Sequence, residues 1–137
     1  MKLSNPASGR PAYYDRAPAS AGVGFIGDAV APHGLTARGT YTTPAGILAF
    51  VNIMHVDIER RTAAAPVGQV RGRIDVAGVN ALEIVENGNA VGDGKDAISN
   101  PGVVLNPAET MQLFTIDGGT GGTVDYRLRA QVTEFDQ

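Results

Sequence analysis

The chain has 137 residues with no cysteine, 43% hydrophobic and 18% charged residues, and a formal charge of −3. This is the length of one domain that can bury a core without staples, and the lack of cysteine excludes disulfides, thiolate zinc sites and cysteine nucleophiles. The acidic balance argues against nucleic acid as a partner, since phosphate binding needs clustered Lys and Arg, while 18 Gly and 8 Pro point to many short strands rather than a helical bundle.

Residues 1–22 contain Pro6, Pro11 and Pro18 among Ala, Ser and Gly, and show neither a strand nor a helix period. Such a segment cannot bury enough surface to offset its ordering entropy, so the expectation is a flexible N-terminal arm, with the folded domain over 23–137. Lys2, Arg10 and Arg16 against Asp15 give the arm +2 and leave −5 on the remainder. A slightly basic arm on an acidic body suits docking on a neighbour, and Tyr13-Tyr14 supplies two aromatics that could anchor it. Arg10, Tyr13, Tyr14 and Arg16 are therefore the candidate partner-binding residues, against the alternative of solvated charges and tyrosines packed on their own domain. The start of the chain has no apolar run suited to a signal peptide, and no segment reaches the roughly 20 apolar residues of a membrane span. Cytoplasmic synthesis and a soluble product, with no membrane partner, are the expectation.

From residue 23 onward, strands alternate with strong punctuation. A short Gly-interrupted strand over 23–30 turns at Pro32-His33-Gly34 into a Thr-rich strand over 35–42. Pro44-Ala45-Gly46 then leads into the longest apolar run, Ile47 to Arg60. Leu48, Phe50, Met54, Val56 and Ile58 lie on one parity there, with Ile47, Ala49, Val51 and Ile53 on the other. Apolar residues on both faces predict a central strand or a β-bulge near Asn52, and the β-branched content favours strand over helix.

Val70, Ile74 and Val76 alternate with Gln69, Arg71, Arg73 and Asp75, the pattern of a strand with one wet face. A short strand over 82–85 is followed by a long polar loop holding Asn87, Asn89, Asp93 and Asp96. Strands over 103–105 and 110–116 flank the turn Asn106-Pro107-Ala108-Glu109. The Gly-rich segment 117–122 then precedes the most regular alternation in the chain: Val124, Tyr126, Leu128, Ala130 and Val132 against Asp125, Arg127, Arg129 and Gln131. Eight or so strands without a useful amphipathic helix indicate an all-β, two-sheet antiparallel sandwich. The two similar Pro-Ala turns favour a jelly roll, which places such strands at corresponding positions of two Greek keys.

No catalytic centre emerges. His55, Asp57 and Glu59 share a strand face and could in principle bind a metal, but a solvated face is the favoured reading and no metal or other cofactor is expected. The polar loop lacks the spacing of a calcium loop, 117–122 lacks the ending of a phosphate loop, and no Ser, His and Asp stand in a nucleophile context. With no Trp, only Tyr13, Tyr14, Tyr41 and Tyr126 could form a modest stacking platform for sugars, and Tyr126 has core parity.

The lead Tyr41-Thr42-Thr43-Pro44-Ala45-Gly46, the turn Leu105-Asn106-Pro107-Ala108-Glu109 and the closing strand from Gly122 to Phe135 resemble those of bacteriophage virion proteins with a small jelly roll, especially capsid decoration or cement proteins. The resemblance covers residues 35–136. It implies a non-enzymatic structural protein on the virion surface, commonly a homotrimer, whose partners are the major capsid protein and copies of itself. The alternatives are a tail, baseplate or fibre module that binds host glycans and, third, a small cupin-type enzyme.

Overall fold

The computed structural model of the protein describes residues 3–4, 13–14, 19–29, 34–60, 70–86, 92–117 and 124–137. Its strands are β1 (Leu3–Ser4), β2 (Tyr13–Tyr14), β3 (Ala19–Ala29), β4 (Gly34–Thr42), β5 (Ile47–Arg60), β6 (Val70–Val76), β7 (Val79–Glu86), β8 (Gly94–Ser99), β9 (Val104–Leu105), β10 (Thr110–Asp117) and β11 (Val124–Asp136). One sheet runs β3-β11-β5-β8, with β9 also on β5, and the second runs β4-β10-β6-β7. All pairings are antiparallel, and β1 and β2 form a separate two-stranded unit.

The pairing is nested. β6 pairs with β7, β5 with β8, β4 with β10 and β3 with β11, as though one long hairpin had been rolled up. The contacts β11 to β5 and β10 to β6 close the roll into two sheets. This is the jelly roll expected from the Pro-Ala turns.

The core follows the alternation in the sequence. Val124, Tyr126, Leu128, Ala130 and Val132 of β11 are buried, facing Val70, Ile74, Met111 and Leu113 of the other sheet. Strand β5 changes parity at a bulge, one of the two arrangements its apolar run allowed: Gln131 lies opposite Ile53 and Val132 opposite Val51, so Asn52 is the extra residue. Ala49 and Val51 before the bulge and Met54, Val56 and Ile58 after it therefore all point inward. That shift explains why both faces of 47–58 begin apolar.

Two glycines mark where backbone geometry governs. A Cβ on Gly72 would lie 2.3 Å from Val56 Cγ1, so the approach of β6 to β5 requires its absence. Gly78 has φ +76° in the turn between β6 and β7, preceded by Ala77 at φ 50°. Two positive φ values in a two-residue loop give a type I′ turn, whose twist matches the flanking strands.

Several expected boundaries shift. The first strand of the sandwich begins at Ala19 rather than 23, because β11 extends to Asp136 and offers pairing partners as far as Glu134. Strand β7 begins at Val79 rather than 82, directly after the type I′ turn. Gly94, Lys95 and Asp96, assigned to a polar loop by composition, instead open β8, which pairs with Met54 to Glu59. Asp75, expected on a wet face, is 5% exposed because Arg73 covers it with two hydrogen bonds, at 2.5 and 2.7 Å. This pairing raises the Arg73 pKa above its ordinary value, the hydrogen bond to Asp75 being the largest cause.

Candidate interaction surface

The outer face of the β3-β11-β5-β8 sheet changes character along β5. At one end His55, Asp57 and Glu59 point outward, as period 2 requires. Arg127 Nη1 donates to Asp57 Oδ2 at 3.1 Å, and His55 Nε2 lies 3.9 Å from Asp96 Oδ2. Among the described residues no three His, Cys, Asp or Glu side chains are grouped to hold a metal. This end is a polar surface that carries a cross-strand ion pair between Arg127 and Asp57.

Beyond the bulge the same face turns apolar. Leu48 and Phe50 of β5 point outward, opposite Phe135 of β11 and Val104 of β9 respectively. These four side chains wall a cavity of about 160 Å³. Val103 and Val104 continue the apolar surface into a second groove of about 380 Å³, whose far wall is Val79 and Ala81 of β7. Phe50, Val79, Val103 and Val104 are all exposed large hydrophobics. Single exposed apolar residues are ordinary, but a contiguous ridge of them marks a contact surface.

The base beneath this ridge is fixed by backbone hydrogen bonds between the two Pro-Ala turns. Thr43 N–H donates to the Glu109 carbonyl and Ala108 N–H to the Thr43 carbonyl, both at 2.9 Å. The Glu109 carboxylate closes its own turn by accepting from Asn106 N–H at 2.8 Å, and Gln137 N–H donates to the Gly46 carbonyl at 2.8 Å. Thus the β4–β5 turn, the β9–β10 turn and the C-terminal residue meet at one end of the sandwich, under the ridge. Val51 N–H also donates to the Val103 carbonyl at 2.8 Å, tying the ridge's outer segment to β5.

The sequence-derived binding residues occupy a different part of the chain. Arg10 and Arg16 lie outside the described residues, as do Asn87 and Asn89 of the polar loop. Tyr13 and Tyr14 form β2, with Tyr14 opposite Leu3 and Tyr13 opposite Ser4. Two of the tyrosines considered for sugar stacking are interior. Tyr126 is fully buried, and Tyr41 is 8% exposed, its hydroxyl donating to Glu134 Oε1 at 2.7 Å across the two sheets. The sequence does not mark the ridge as a surface, because Leu48 and Phe50 share a parity there with Met54 and Val56. Only the bulge separates them.

No protein-family model matches the chain, and no curated protein matches it. In structure it is similar to a chain of the infectious bursal disease virus Gx strain, at 11% identity and a TM-score of 0.46, over 97% of this chain and 36% of that one. It is also similar to a chain of the Gt strain of that virus, at 10% identity and a TM-score of 0.35, over 98% of this chain and 37% of that one. The protein thus spans little more than a third of the length of the chains it is similar to.

Proposed function

We propose that this protein is a non-enzymatic structural component of a virion, a decoration protein that seats its apolar ridge on an assembled capsid and reinforces it. The observation that carries the reading is the ridge of Leu48, Phe50, Val103, Val104 and Phe135, held on a rigid base where the two Pro-Ala turns join. The jelly roll serves capsid, lectin and cupin proteins alike, so the choice among them rests on surface and interior chemistry. An apolar ridge suits a protein surface more than a hydroxyl-rich glycan. The space between the sheets is filled by Met54, Ile58, Leu113, Tyr126 and Leu128, which are not metal ligands of the cupin kind. The slightly basic arm supplies a second contact to the shell in this reading.

The test is binding of the purified protein to capsids assembled without it, read by co-sedimentation and by the temperature at which particles release their contents. Addition of the protein should raise that temperature. Val104→Asp should weaken binding about tenfold or more, since Val104 is half exposed and a charge buried at an interface is unpaired. Deleting residues 1–18 should weaken it less. Antibody labelling confined to tails, or binding unchanged by Val104→Asp, would overturn the reading.

A further inference from the structure

Strand β3 is 11 residues long and, among the described residues, is paired on one side only, by β11. Its sequence, Ala-Ser-Ala-Gly-Val-Gly-Phe-Ile-Gly-Asp-Ala, contains no proline or lysine and a single charge, Asp28. Natural proteins blunt an edge of this length with charge, proline or a bulge, and β3 pairs with β11 in continuous register from Ala19 to Ala29 without one. An unprotected edge of this kind is a template for another strand.

The outward side chains of β3 give that edge a shape. Ser20, Gly22, Gly24 and Ile26 face outward, whereas Ala21, Val23 and Phe25 pack against the core. Ile26 is 82% exposed, the most exposed large hydrophobic residue described. Gly22 and Gly24 floor a trough bordered by Arg129 and Gln131. The trough is fixed by the backbone, because a Cβ on Gly22 would lie 2.3 Å from the Ala130 carbonyl oxygen. One strand therefore carries a knob at position 26 and a hole at position 22.

We propose that β3 pairs antiparallel with β3 of a second copy about a two-fold axis at Gly24, joining two sheets edge to edge. In that register Ile26 stands opposite Gly22 of the other copy on the outer face, so each knob covers the other's hole. On the inner face Val23 stands opposite Phe25. The two Asp28 residues fall at opposite ends, about 26 Å apart at the usual rise per residue, well beyond the screening length in physiological salt. Arg129, paired with Gly24, is the charge nearest the axis; its two copies stand three strand spacings, about 14 Å, apart and are exposed to solvent.

The area agrees with a modest dimer. Strand β4 lies beneath β3 at this edge: Arg38 sits 5.0 Å over the Phe25 ring, and a Cβ on Gly39 would lie 2.7 Å from Val23 Cγ2. The wall presented is thus two sheets thick. At about 30 Å by about 20 Å it offers roughly 600 Å² per copy, or about 1,200 Å² in total, the lower end of specific interfaces. A two-fold contact of this kind is self-complementary, whereas the three-copy assembly implied by the sequence resemblance uses two different surfaces.

The purified full chain tests this without any particle, so the outcome is independent of the decoration reading. Sedimentation velocity should show a concentration-dependent species of twice the 14.2 kDa chain mass. Ile26→Lys should raise its dissociation constant about tenfold or more while leaving the melting temperature of the dilute monomer unchanged. Because the chain has no cysteine, Gly24→Cys should form a disulfide-linked dimer under mild oxidation: directly opposed Cα atoms lie about 4.5–5.5 Å apart, within disulfide reach. Ser20→Cys should link far more slowly. A monomer at all concentrations, an assembly that Ile26→Lys leaves intact, or equal cross-linking at positions 20 and 24 would overturn the proposal. Pairing that appears only after deletion of residues 1–18 would also overturn it, by assigning the edge to the arm.

Discussion

Tyr41 and Glu134 are the residues whose roles are least apparent from their types. An acidic residue near the end of a strand is usually solvated, but Glu134 has the inward parity of β11 and its Oε1 accepts a hydrogen bond from the Tyr41 hydroxyl at 2.7 Å. That bond links β4 of one sheet to β11 of the other, so removing it weakens the clasp and leaves Glu134 with less compensation for its burial. Tyr41→Phe should lower stability by about 1–3 kcal/mol in chemical denaturation. Gly72 permits the approach of the sheets at a second point. Gly72→Ala should cost about 1–3 kcal/mol by overpacking against Val56, and that cost should shrink markedly in a Val56→Ala background, where the clashing Cγ1 is gone. Equal costs in both backgrounds would place the strain elsewhere. The inward parity of Tyr126 was legible in the sequence. The burial of Tyr41 and Asp75 was not, because each depends on a partner: Glu134 across the sheets, and Arg73 on its own strand.

At the level of elements, local pattern was informative wherever one face meets the core and the other meets water. β6 and β11 satisfy that condition, and the alternation of each located it, whereas β10 was placed by the turn before it. The bulge at Asn52 was legible as one of two alternatives, since apolar residues on both parities fit either a central strand or a change of phase; Asn52 Nδ2 donates to Thr133 Oγ1 at 2.7 Å, anchoring the extra residue. β8 was not legible, because Gly94, Lys95 and Asp96 are in sheet through backbone pairing with β5 rather than through side-chain preference. The start of β7 was hidden by an unusual turn: Ala77 occupies a position that normally takes Asn, Asp or Gly. The left-handed conformation costs an alanine about 1 kcal/mol or more, so Ala77→Asn should raise stability by about 0.5–1 kcal/mol, read as a higher denaturation midpoint with an unchanged m-value. A fall in stability would mean that Ala77 makes a packing contribution beyond the turn.

Among the described residues, the whole molecule has an apolar ridge at the end where the Pro-Ala turns meet, an ion pair farther along the same sheet face, and an unblunted edge at β3. If the ridge seats on a capsid and the edge joins two copies, the surfaces are independent: Val104→Asp should impair particle binding without affecting sedimentation of the free chain, and Ile26→Lys should do the reverse. Sequence by itself determined the all-β class, the inward residues of the regular strands and the two turns that mark a jelly roll, and it narrowed the long apolar run to a central strand or a bulge. Each of these depends on period-2 burial or on backbone preferences of Pro and Gly, which act locally. Tertiary structure alone decided that the two turns hydrogen-bond to each other, that 94–99 is a strand, that Leu48 and Phe50 face outward while Met54 and Val56 face inward, and that β3 is an edge. Those outcomes depend on which strand lies beside which, and the nested pairing brings together residues far apart in the chain.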